Sequence, residues 1–348
     1  MILPANYTTT LIMLILGMLC FGSWAITYKS AGPRWRFELY YFDFAIGMIV
    51  AATIIALTLG SMGFDGFSFT DDLRLAGKRQ ELLGFAAGSV FNLGNMLLVG
   101  GLSLAEMSVV FPIAMGIAMI VGLFVNYLTS DVDRFLMFGG AAVMAVAVII
   151  AAILWGEHAS ARLMEAVKAG KTKTTKKEIS WKGVILSIIG GILLGSFFPL
   201  IVQGRSGENG LGPYSIGWVF AAGVLFSTFV FNVFFMNLPV QGKPIDMSEF
   251  FRAKVQQHLK GVLGGILMYL AVISAFVAAR AEGKAHVQPF ISYGLSQIGI
   301  VLAVLWGILR WKEFSDASAK VKGELAMMLV LLIVGIGLVS GGMVSQTQ

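Results

Sequence analysis

Apolar residues gather in ten stretches of roughly twenty residues each, separated by short polar segments. The stretches run approximately 8–28, 40–60, 83–104, 106–128, 135–155, 182–203, 212–236, 261–280, 287–309 and 323–343. At 1.5 Å rise per residue, each covers about 30 Å, the thickness of a bilayer's hydrocarbon. The pattern predicts an all-α integral membrane protein of ten transmembrane helices.

The first half of the pattern returns in the second. A shift of 173 residues lays Gly17, Gly22 and Ser23 onto Gly190, Gly195 and Ser196. A shift of 177 lays Gly84, Gly88, Pro112 and Gly122 onto Gly261, Gly265, Pro289 and Gly299. Five spans per copy is an odd number, so the expectation is two inverted five-helix repeats, the architecture of many solute carriers. The chain then divides into a first repeat over 1–155, a basic linker over 156–181 and a second repeat over 182–348.

Composition narrows the class further. The 348 residues are 57% hydrophobic and 13% charged, against about 25% charged in a soluble protein. No soluble core hides ten such segments. Cys20 is the only cysteine, so no intramolecular disulfide or thiolate metal cluster is expected. The first basic residue is Lys29, beyond the first span, and no secretory signal pattern is visible.

The net charge of +6 lies in particular loops, forms no nucleic-acid stripe, and instead predicts topology. One face of the bilayer, here the terminal face, takes the termini and the loops after even-numbered spans; it carries 7 of the 25 Lys and Arg residues. The other, the linker face, carries 18. The positive-inside rule puts the linker face in the cytoplasm of a plasma or inner membrane and both termini outside.

Lys168, Lys171, Lys173, Lys176 and Lys177 make the linker a solvated basic segment. Its Gly170-Lys171-Thr172 is not a P-loop, because the first glycine of that motif would fall on Glu165 and no strand precedes it. No cofactor is implied. Asp246 to Lys260 reads as a surface helix, capped by Asp246 and Glu249, with Met247, Phe250, Phe251, Val255 and Leu259 on one face.

Polar groups inside the spans are the functional candidates, since they are costly there. Asp43 and Glu106 are the two carboxylates and the candidate proton carriers. Asn92 and Asn95 in span three, with Gln288, Ser292, Tyr293 and Gln297 in span nine, are candidates for lining a solute cavity; interhelical hydrogen bonding is their structural alternative. Trp24 offers a ring on which a flat solute can stack. Pro112 and Pro289 hold equivalent places early in spans four and nine and are candidate helix breaks. Gly337 and Gly341 give the last span a small-residue face suited to a homodimer. His158, His258 and His286 read as loop residues without metal-ligand spacing, so no metal is expected.

Several of these residues form a familiar set. Gly22-Ser23-Trp24-Ala25, Tyr41-Phe42-Asp43, the run from Ala51 to Gly60, Leu93-Gly94-Asn95, Gly101-Leu102-Ser103, Glu106 and Val125-Asn126-Tyr127 resemble the ureide permeases. That family belongs to the drug/metabolite transporter superfamily. The second half also resembles the rhamnose–proton symporter and glucose/ribose porter branch. The resemblance implies ten spans and proton-driven import of a small polar solute, a ureide or nucleobase in one branch and a monosaccharide in the other. Carried over by motif, Trp24, Asp43, Asn95 and Glu106 are the family-consistent positions. Some ureide permeases have a nucleotide-binding-like motif in the central loop; this chain has none.

The function expected is therefore a secondary transporter, probed against three alternatives: an exporter of the same superfamily, a membrane enzyme and a non-transporting scaffold. No nucleophile or metal motif supports the enzyme. Amides, hydroxyls and aromatic rings suit a sugar and a ureide equally.

Overall fold

The computed structural model describes residues 1–32, 35–63, 68–129, 133–169 and 181–342, with backbone alone at 125–129, 166, 289 and 290. Ten helical spans among the described residues are long and apolar enough to cross a membrane. In chain order the helices are α1 Tyr7–Ala31, α2 Phe37–Leu57, α3 Phe69–Leu75, α4 Lys78–Leu102, α5 Met107–Thr129, α6 Arg134–Lys168, α7 Lys182–Ser196, α8 Phe198–Gly204, α9 Pro213–Asn237, α10 Ser248–Phe251, α11 Val255–Ala278, α12 Pro289–Arg310 and α13 Ala319–Gly342. A 3₁₀ turn, Gly283–Ala285, precedes α12.

Packing follows the repeat seen in the sequence. The α4 helix packs on α9 as α11 packs on α2; α7 packs on α4 and α5 as α1 packs on α11 and α12; α5 meets α6 as α12 meets α13. The pairs α2–α9, α5–α12 and α6–α13 map onto themselves. Two glycines show how closely the helices approach. A Cβ on Gly88 would lie 2.1 Å from the carbonyl oxygen of Phe220, and one on Gly265 would lie 1.9 Å from that of Phe44. Only glycine lets these backbones meet. Gly337 faces outward beside the exposed Ile333 and Val334, whereas Gly341 lies near Leu136.

Four expectations change. Span five does not end at residue 155: α6 runs on to Lys168, through a segment rich in Ala, Glu, Arg, Leu and Met that favours helix in water as in lipid. The remaining lysines of the linker, at 171, 173, 176 and 177, lie outside the described residues.

Span six is interrupted at Phe197, between α7 and α8. Pro199 lacks an N–H and its ring crowds the carbonyl of residue 195, which favours a break at this point. The surface helix over 246–260 is instead a single turn, α10, followed by the start of α11 at Val255. The Asp246 carboxylate accepts the Ser248 N–H at 2.7 Å.

The two prolines, finally, are not equivalent. Pro112 sits inside α5 and leaves the Ser108 carbonyl without its helical donor. Pro289 opens α12, where a missing N–H costs nothing, so it breaks no helix.

Candidate functional site

A group of buried aromatic rings lies where α1, α2, α4 and α5 converge, on the linker-face side of the bundle. Trp24 of α1 is fully buried and packs on Phe44 of α2, with centroids 5.5 Å apart, and on Phe111 of α5 at 6.3 Å. Tyr41 continues the chain of rings, 4.8 Å from Phe44. Asn95 of α4 donates from Nδ2 to the Tyr41 hydroxyl at 2.9 Å.

Among the buried side-chain atoms that have no protein partner are Trp24 Nε1, Asn95 Oδ1 and the hydroxyl of Tyr269 on α11; others, such as Nε1 of Trp35 and Trp155 and both polar atoms of Asn232, belong to no part of this cluster. Leaving a buried polar atom unpaired costs about 1–3 kcal/mol. One donor and one acceptor are thus left open around a single aromatic cluster. Together they present an N–H, a C=O and flat apolar faces, which match the edge and faces of a small conjugated amide ring.

The other candidate lining residues fall elsewhere. Asn92 is fully buried and donates to Ser227 at 2.7 Å and Thr228 at 3.0 Å, so it ties α4 to α9. Gln288 precedes α12 and is exposed; Ser292, Tyr293 and Gln297 are half-buried along that helix, Gln297 donating to Ser296 at 3.3 Å. The structure thus joins Trp24 to Asn95 through Tyr41 and Phe44, and gives Asn92 a structural bond.

Asp43 is 3% exposed and holds His258 of α11, whose Nδ1 lies 2.9 Å from both carboxylate oxygens. Trp35 and Phe250 close edge-on against the imidazole at 5.5 and 4.6 Å. His258 is therefore no loop residue. Nor is His158, which is buried in α6 against Phe314 at 4.4 Å. Sequence reasoning missed His258 because the segment Asp246–Lys260 reads as a helix on the surface, outside the eighth span, while α11 already begins at Val255.

Glu106 takes part in a second cluster on the same face. It receives Arg162 of α6 at 3.0 Å, and Arg162 also reaches Asp316 at 3.4 Å. Burial, with Glu313 nearby, pushes the Glu106 carboxyl above its ordinary range against the pull of Arg162. Glu313, between α12 and α13, accepts the N–H of Met107 at 3.0 Å and of Ser108 at 2.9 Å, together with the Ser108 hydroxyl and Lys29. Burial alone would raise its carboxyl; the Lys29 charge and the bonds from Lys29 and Ser108 outweigh that and hold it low. Glu313 thus caps α5 from the other half of the molecule.

Comparison with known proteins bears on what this arrangement serves. The ureide permease family model matches residues 40–195. Ureide permease 1 of Arabidopsis thaliana is 23% identical over 372 residues, covering 93% of this chain and 94% of the relative. The chain is ureide permease-like. Ureide permease 4 of the same plant is 21% identical with equal coverage, and Ureide permease 5 is 22% identical over 94% of this chain and 92% of its own length. One solved chain, described only as a crystal structure of a protein, superposes at a TM-score of 0.53 over 96% of each chain with 15% identity, a likeness of fold alone.

The chain thus has the ten apolar spans of a multi-pass membrane protein and is similar to the ureide permeases over most of its length. Asp43, Asn92, Asn95, Glu106 and Pro112 fall within the matched segment; Trp24, His258 and Glu313 lie outside it. On the terminal face of this ureide permease-like bundle, a cavity of about 830 Å³ opens between α3, α4 and α9, bordered by Arg74, Lys78, Glu81, Phe85 and Trp218. The shift of 177 residues lays Glu81, which borders that cavity, onto His258 of the linker face.

Proposed function

We propose that the protein is a proton-coupled importer of a ureide or a related flat heterocycle such as a nucleobase. The solute enters the Trp24–Phe44–Phe111 cluster as the helices part, gives a hydrogen-bond acceptor to Trp24 Nε1 and a donor to Asn95 Oδ1, and breaks no hydrogen bond that those two atoms already make. Those two open polar atoms carry the reading. A conjugated ring amide offers both groups in one plane, and the names of the relatives support the same solute class.

In this reading the two five-helix halves are inverted repeats that rock about the site. The linker face is cytoplasmic and carries the Glu106–Arg162 and Glu313–Lys29 contacts as its closure; the terminal face is external. Asp43 or Glu106 carries the proton.

The test is uptake of labelled allantoin, uracil, rhamnose and glucose into proteoliposomes, with and without an inward proton gradient. Accumulation of allantoin or uracil is expected, and Trp24→Phe, which keeps the ring and drops the N–H, should lose it along with Asn95→Leu. Accumulation of rhamnose or glucose in place of the heterocycles would replace the solute class. Movement of solute only outward would make the protein an exporter.

A further inference from the structure

Within the transport cycle proposed above, and resting on it, we propose that Asp43 and His258 form a single proton site that carries the coupling proton and releases it through the imidazole to the linker face.

The pair joins the two halves of the chain: Asp43 lies on α2 and His258 on α11. The carboxylate side chain is 5% exposed and the imidazole 27%, so the ring stands between the buried carboxylate and water. With Nδ1 against both oxygens, its proton points at the carboxylate and Nε2 is left on the far side. Among the described residues, His258 is the hydrogen-bond partner that Asp43 has.

Charge supplies the coupling. A neutral imidazole beside a carboxylate leaves one net negative charge in the α2–α11 contact. One added proton gives imidazolium and carboxylate, with N–H bonds at both ring nitrogens and no net charge. A buried net charge is far costlier than a buried ion pair. The closed contact therefore favours the protonated pair, and opening at the linker face lets the Nε2 proton leave to water. Glu106 works differently, because its partner Arg162 is a cation at every accessible pH.

The surroundings leave the pair to itself. Tyr40 lies one turn before Asp43 on α2, its hydroxyl bonded to Thr27, with Tyr28 of α1 against its ring. Lys260 of α11 turns to the Ser30 carbonyl at 2.5 Å. Arg36 is held by Glu38 and by the Lys243 carbonyl; Glu249 and Arg252, at α10, pair with each other. Lys254 stands at the start of α11, and α9 brings no ionisable side chain to this end of the bundle.

The test uses the full chain in proteoliposomes with an entrapped pH dye and the solute identified above. His258→Gln should carry solute only to equilibrium, with loss of the dye response, and Asp43→Asn should do the same. His286→Gln, distant from the pair, should keep both. A His258→Gln variant that accumulates solute and acidifies the lumen like the parent overturns the proposal.

A second measurement needs no solute. In protein carrying carbon-13 histidine, the ring signal absent from His258→Gln is assigned to His258, and its titration should shift in Asp43→Asn. An unshifted titration overturns the pair as a unit. If the parent moves no solute on the panel, the transport reading fails, and the histidine titration still decides whether the pair binds its proton jointly.

Discussion

At the scale of single residues, function and packing make opposite demands on the interior. Gly88 and Gly265 are where helices touch backbone to backbone, and a methyl group there would enter a carbonyl oxygen. Gly265→Ala is expected to cost about 1–3 kcal/mol or more, the range for overpacking, and Gly88→Ala a similar amount. Thermal unfolding in detergent measures both, and an unchanged midpoint would mean that the contacts are looser than drawn. Trp24 and Asn95 show the reverse, with polar atoms that nothing in the fold satisfies. Residue type and depth in a span made them legible in the sequence. The same signal selected Asn92 just as strongly, although it only bonds Ser227 and Thr228; periodicity places a side chain on a helix but does not say which neighbour it meets. His258 and Glu313 left no comparable trace, because each gains its meaning from a partner more than 200 residues away.

At the scale of elements, the linker-face end of α5 is held by a carboxylate from the other half. Glu313 is kept below its ordinary range, so it contributes stability that is present above the unfolded carboxylate value, near pH 4.3 on the usual scale, and is lost as pH falls through the depressed folded value. Glu106 has the opposite sign. Its raised carboxyl, chiefly an effect of burial, costs stability at neutral pH, and that cost fades as pH falls through the raised value. Melting temperatures between about pH 3 and 8 should therefore show Glu313→Gln less stable than the parent at neutral pH with a flatter acid limb. Glu106→Gln should lose the part of the curve that rises towards acid. Parallel curves for all three proteins would remove Glu313 as a cap. The element boundaries themselves were only partly legible. Hydropathy finds where chain enters lipid, yet α6 continues into water on helix propensity, and α7 stops inside an apolar run, where Pro199 favours a break.

At the scale of the whole molecule, the repeat was legible from two glycine registers, and the contacts keep the same pairing of helices. What the registers could not show is that the two faces differ: one gathers bonded charges around a cavity of about 220 Å³, and the other bears a cavity of about 830 Å³. Topology can be checked on a Cys20→Ser background: a cysteine at Lys243 should react with an impermeant maleimide only after the cells are opened, and one at Glu208 beforehand. Reversed labelling would turn the bundle over. The length of α6 carries a last consequence. Its 35 residues reach about 52 Å, some 20 Å beyond the hydrocarbon, and its final turns are gripped through Arg162 by Glu106 and Asp316. Helix surfaces join the two halves, α4 with α9, α2 with α11 and α6 with α13. Polypeptides 1–169 and 181–348, made separately in one cell, should find each other and reconstitute a working carrier.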